Sequence, residues 1–226
     1  MKMPKIQESF RMFTLMNVPV YFHLTSIVLL AMFFQLGVVI GFCVLISLLL
    51  HEFGHVYVAR RFGIPTTKVV VMIFGMVAFM SIEPLSLPKR AVVAIAGPLV
   101  NVLIGCVLFV AMLAIPMSAN AISTIGLLIG TNFLFATFNM LPIQPLDGSH
   151  VLRWMLHRFF NEHSLKKFMT YTSLYAATIF CFLSARLEFY FTAVLMGVIA
   201  LYALFELSAM TDILKDPENN EDDEDK

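Results

Sequence analysis

Six apolar runs, at 20–36, 38–60, 91–115, 121–141, 167–185 and 189–210, succeed one another along this chain, and most of its charge falls outside them. Each run is near the roughly 20 residues that a helix needs to cross the hydrocarbon core of a bilayer. Gln35-Leu36-Gly37 separates the first two, which together would be too long for one span. Hydrophobic residues make up 59% and charged residues 13% of the 226, and mean hydropathy is +0.85. That balance excludes an ordinary soluble domain. The predicted fold is a polytopic α-helical membrane protein of about six transmembrane helices. The first run extends far beyond a signal-peptide core with no small-residue cleavage site, so it is expected to be a retained anchor.

Basic residues orient this arrangement. Lys2, Lys5 and Arg11 precede the first span; Arg60, Arg61, Lys68, Lys89 and Arg90 lie around the second connection. Arg153, Arg158, Lys166 and Lys167 lie around the fourth, and Lys215 and Lys226 follow the sixth span. This places 14 of 15 basic residues on one side, with Arg186 alone on the other. The positive-inside rule makes the basic side cytoplasmic, and an even number of spans puts both termini there. Residues 1–211 form the membrane domain, and 212–226 an acidic tail expected to be disordered. Asp216–Lys226 holds seven of the 15 acidic residues and almost nothing apolar. Basic residues are too scattered for a nucleic-acid surface. Cys43, Cys106 and Cys181 each fall within a span and form no C-x-x-C pair, so they are read as packing residues.

Residues 64–88 break the helical pattern. Thr66-Thr67-Lys68-Val69-Val70-Val71 is rich in β-branched residues, Gly75 interrupts the next apolar stretch, and Pro65, Pro84 and Pro88 bracket the segment. These features predict a small membrane-associated β-hairpin or sheet after the second span. Its edge cannot face lipid unpaired, which places it at the interface or against the bundle. Such an edge suits an extended peptide bound by strand addition.

The chemistry concentrates in His51-Glu52-Phe53-Gly54-His55, the metallopeptidase pattern H-E-x-x-H. At helical spacing the two imidazoles lie about 40° apart around the axis, one turn above the other. Both can reach one metal ion, with Glu52 close enough to act on water. Ionisable groups at membrane depth mark a functional site. Catalytic zinc usually takes three protein ligands, and Asp147 is the best third. It lies at the cytoplasmic end of span four, at the depth of His51 and His55. Pro142 and Pro145 break the helix before it and Gly148 relaxes the turn after it. Asn101 and Asn132 read as amides joining helices.

H-E-F-G-H followed by N-x-x-P-x-x-x-x-D-G, from Asn139 to Gly148, resembles the site-2 protease family of intramembrane zinc metalloproteases. Ala96-Gly97-Pro98-Leu99-Val100-Asn101 is similar to that family's A-G-P-x-x-N segment. Phe74-Gly75-Met76-Val77-Ala78 is similar to its glycine-bearing strand, with Met76 where a second glycine is usual. The resemblance covers most of 47–150. It implies His51, His55 and Asp147 as ligands of one zinc ion and Glu52 as general base. It also implies Asn139 near the reacting carbonyl, and Gly75, Met76, Val77 and Ala78 against substrate. Nothing in the sequence resembles a PDZ or CBS domain, so the resemblance is to a compact member.

The expected activity is hydrolysis of peptide bonds within or near transmembrane segments, by a zinc-activated water with Glu52 as base. Expected substrates are membrane-tethered regulators or remnant signal peptides, and the expected location is a prokaryotic inner membrane. Two other classes fit parts of the pattern. A metal-ion transporter would use the same intramembrane His, Asp and Glu, but no internal repeat of the spans is apparent. A substrate-binding homologue without activity would leave Glu52 free to drift.

Overall fold

The computed structural model describes residues 9–35, 37–73, 75–80, 82 and 85–215. The acidic residues 216–226, Lys2 and Lys5, Leu36, Phe74 and Pro84 lie outside the described residues. The chain divides into two compact units, with the division after Met140.

In the first unit, β1 (Ser9–Leu15) and β2 (Val18–His23) form an antiparallel hairpin. Met16 and Asn17 join them, with φ of 49° and 57°, the left-handed pair that a two-residue hairpin turn uses. Short helix α1 (Ser26–Phe34) leads into α2 (Val38–Arg61) through Gly37, whose φ is +106°. Strands β3 (Thr66–Met72) and β4 (Gly75–Met80) follow, then α3 (Leu87–Ala114) and α4 (Ala119–Asn139). The predicted hairpin over 64–88 is present, as β3 and β4. It belongs to a larger sheet of order β1-β2-β3-β4, in which β2 pairs parallel with β3, Val20 opposite Val69.

The first predicted span does not form one long helix. Residues 20–36 divide into the end of β2, a turn at Leu24–Thr25, and α1. Nine helical residues rise only about 14 Å, roughly half the hydrocarbon thickness. Among the described residues five helices, not six, are long and apolar enough to cross a membrane: α2, α3, α4 and two in the second unit.

The sheet packs on α2. Val18 and Val20 of β2, Val69 and Val71 of β3, and Met76 of β4 close over Leu29, Phe53 and Val56. The strand residues recur every second position and the two α2 residues lie one helical turn apart, so each element turns one face inward. Helix α1 lies against the start of α2, where Phe33 and Phe34 cover Gly41.

The second unit contains α5 (Asp147–Leu156), α6 (Glu162–Arg186) and α7 (Tyr190–Lys215). Helix α7 runs through Lys215, into the segment assigned to the tail. Helix α6 starts at an Asn161 cap, whose side chain accepts from Ser164 N at 2.8 Å. Glu206 pairs with Lys166 at 3.5 Å. The loop before α5 is fastened to α6 where Gln144 N donates to Ser173 Oγ at 2.8 Å. The three cysteines are unpaired.

Candidate metal centre

The site forms on α2 where α3 crosses it at close range. A Cβ on Gly54 would lie 2.8 Å from the Ala96 carbonyl oxygen. Glycine inside H-E-F-G-H thus lets the two backbones approach, as small residues do between membrane helices. One residue further along α3, Gly97 faces the imidazoles. A Cβ there would lie 2.2 Å from His55 Nε2 and 2.7 Å from His51 Nε2, so any side chain would fill the space the two rings converge on.

Both rings are buried, His51 at 3% and His55 at 7% exposure, and both are held by their far nitrogen. His51 Nδ1 meets Asn101 Oδ1 at 2.5 Å, and His55 Nδ1 meets the Val93 carbonyl at 2.8 Å. A carbonyl oxygen only accepts, so each Nδ1 carries the hydrogen and each Nε2 keeps its lone pair. Those two Nε2 atoms lie 3.2 Å apart. Two lone pairs at that distance repel unless a cation or a shared proton lies between them. Two nitrogens at zinc–nitrogen distance on adjacent corners of a tetrahedron would be about 3.3 Å apart. The donor set therefore fits a zinc ion, and the Nδ1 partners are the kind that hold metal-ligating histidines in place.

Glu52 is half-buried. A carboxylate oxygen of Glu52 and one ring nitrogen of each histidine all lie within 4.8 Å of one another. His51, Glu52 and His55 are the group that the structure brings together. Behind His51, Asn101 Nδ2 donates to Asn132 Oδ1 at 3.0 Å. Asn132 Nδ2 in turn donates to Ser47 Oγ at 3.2 Å and to the Leu128 carbonyl at 2.9 Å. The expected joining role of Asn101 and Asn132 is present, linking α2, α3 and α4. Their tie to His51, and the part played by Gly97, were not read from the sequence. Periodicity held the signal: Ser47 is one turn before His51, and Asn101 one turn after Gly97.

The other predicted site residues lie on α4, α5 and β4. Asn139 ends α4, and one of its amide hydrogens goes to the Phe135 carbonyl at 3.1 Å. Asp147 is the first residue of α5, in the second unit. Gly75, Met76, Val77 and Ala78 lie on β4, an edge of the sheet. Met76 is buried and lines an apolar cavity of about 160 Å³ against α2. Ala78 also packs toward the core, whereas Val77 turns outward at 44% exposure. The methionine that replaces a glycine thus points toward α2 rather than along the strand's open edge.

These features define a class: an integral membrane protein with an H-E-x-x-H metal centre set on one of its long apolar helices. The model of peptidase family M50 matches residues 39–118 and 113–184, and the chain belongs to that family. It is 32% identical over 158 residues to a zinc metalloprotease of Methanocaldococcus jannaschii, covering 66% of this chain and 46% of the relative. The chain thus spans under half the length of that relative. Its structure is similar to that of the site-2 protease from Methanocaldococcus jannaschii. The TM-score is 0.65 at 26% identity, covering 88% of this chain and 94% of that one.

Proposed function

We propose that the protein is an intramembrane zinc endopeptidase that cuts peptide bonds within or near the transmembrane segments of other membrane proteins. The carrying observation is the pair of Nε2 atoms 3.2 Å apart, each made a lone-pair donor by an acceptor at Nδ1. His51 and His55 hold one zinc ion, with Asp147 as third ligand. Bound zinc supplies Lewis acidity, making water ionisable near neutral pH and polarising a carbonyl oxygen.

The chain's own groups do the rest. A carboxylate oxygen of Glu52 takes the proton of the attacking water and returns it to the leaving amine. Asn139, with its second amide hydrogen, donates to the oxygen that gains charge. The open edge of β4 over Gly75–Ala78 takes the unwound substrate by strand addition, reading main chain rather than sequence. Substrates are membrane-tethered regulators or remnant signal peptides in a prokaryotic inner membrane. Arg60 and Arg61 at the end of α2 and Lys89 and Arg90 at the start of α3 support a cytoplasmic placement of the connection between those helices.

Glu52→Gln is the test, read on a model membrane-helix substrate with zinc measured in parallel. Zinc stays bound while cleavage falls by about 10²–10⁴-fold. Cleavage at the wild-type rate would remove Glu52 from the reaction. Zinc flux across vesicles without any cleavage would favour a transporter instead.

A further inference from the structure

The polar chain behind His51 has a direction, and that direction is set at its far end. The Leu128 carbonyl can only accept, so Asn132 must present Nδ2 to it, at 2.9 Å. The second hydrogen of the same group goes to Ser47 Oγ at 3.2 Å. This turns Asn132 Oδ1 toward Asn101, where it accepts from Nδ2 at 3.0 Å. Asn101 is then obliged to offer Oδ1 to His51 Nδ1, which it meets at 2.5 Å.

We propose that Asn132 is a positioning residue for the metal centre, locking His51 through Asn101 in the tautomer that leaves Nε2 for zinc. The proposal rests on His51 being a zinc ligand. Asn101 alone does not select the tautomer, because an amide presents oxygen or NH₂ in almost the same shape. A turned Asn101 would put a donor against Nδ1, move the ring hydrogen to Nε2 and disable the ligand. Exposures of 0% at Asn101, 1% at Asn132 and 5% at Ser47 leave water little access to this chain. The choice is therefore inherited from a backbone carbonyl of α4.

Asn132→Leu and Asn132→Asp separate this role from simple joining of helices. Leucine releases Asn101 to turn either way. Aspartate, ionised, only accepts and so compels Asn101 to point Nδ2 toward it; protonated, it does the same when its hydroxyl donates to the Leu128 carbonyl. The full chain in detergent is titrated with zinc against a competing chelator, and its melting temperature is recorded. The ring ¹⁵N shifts of His51 are read on metal-free protein.

Asn132→Leu weakens zinc binding about tenfold and shows two His51 tautomers, whereas Asn132→Asp binds within about twofold of wild type with one tautomer. Aspartate restores binding even though, lacking the donors to Ser47, it melts below wild type. Zinc affinity that merely follows melting temperature across the three proteins overturns the proposal, as does wild-type affinity in Asn132→Leu. If the leucine variant does not fold, Asn101→Ala and Asn101→Asp carry the same comparison. Aspartate, keeping the acceptor, then binds about tenfold tighter than alanine; equal affinity overturns the proposal. Wild-type protein that binds no zinc would strike the metal reading, while the His51 shifts would still judge the relay.

Discussion

Ser47, His51, His55, Asn101 and Asn132 of α2, α3 and α4 bond across helix boundaries, whereas the threonines of α6, like Thr131 and Thr137 of α4, turn back on their own helix. In α6 the hydroxyls of Thr170, Thr172 and Thr178 donate to carbonyls four residues earlier. The described polar ties of α6 to other segments are Glu162 to Arg153 of α5, Ser173 to the Gln144 backbone and Lys166 to Glu206 of α7. In the first unit, His51, His55, Asn101, Asn132 and Ser47 bond from one helix to another. A hydroxyl satisfied by its own helix leaves the partner helix free to pack on apolar surface. An interhelical network must bury several polar groups together and satisfy all of them, since a single unmatched one costs about 1–3 kcal/mol. The network marks the site, and the locally satisfied threonines are scaffold.

Glycines give the sharpest way to break that comparison. Gly97→Ala in α3 drives a methyl group into the space between the histidine Nε2 atoms and reduces zinc affinity about a hundredfold. Gly197→Ala in α7 meets only Cys181 Sγ, at an ordinary 3.6 Å. It leaves zinc binding unchanged and can raise stability through helix propensity. Zinc titration of the two variants side by side decides the point. Equal affinity in both would mean that the α3 crossing does not shape the site.

A smaller effect separates packing from ligation. Gly54→Ala places its Cβ 2.8 Å from the Ala96 carbonyl and forces α2 and α3 apart. That overpacking costs about 1–3 kcal/mol, read as a lower melting temperature of metal-free protein. Gly126→Ala in α4 has nothing within 4 Å to meet, so its melting temperature holds or rises. A destabilised Gly126→Ala with a neutral Gly54→Ala would reverse the roles assigned to the two glycines.

The metal-binding pair was legible because helical spacing alone puts His51 and His55 on one face with Glu52 beside them. The long spans and the β3–β4 hairpin were legible for similar local reasons: run length, β-branched content and flanking prolines. The N-terminal hairpin was not. Only His23, Thr25 and Ser26 interrupt the apolar residues of β2 and α1, with no Lys, Arg, Asp or Glu among them, so strand and short helix merge into what looks like one span. Its pairing partner is also remote, since Val20 lies opposite Val69, and no local pattern announces such a pairing. Asn101 and Asn132 were visible as joining amides, but their direction depends on which atom faces Leu128, and that exists only in three dimensions.

The central claim is that His51 and His55 ligate zinc through their Nε2 atoms. X-ray absorption at the zinc edge, on the full chain in detergent, tests it most directly. One zinc per chain is expected, with nitrogen neighbours at about 2.0–2.1 Å and no sulfur near about 2.3 Å. The ion should be lost when His51 and His55 are both replaced by alanine. A sulfur shell, or undiminished zinc in that double variant, would contradict the account.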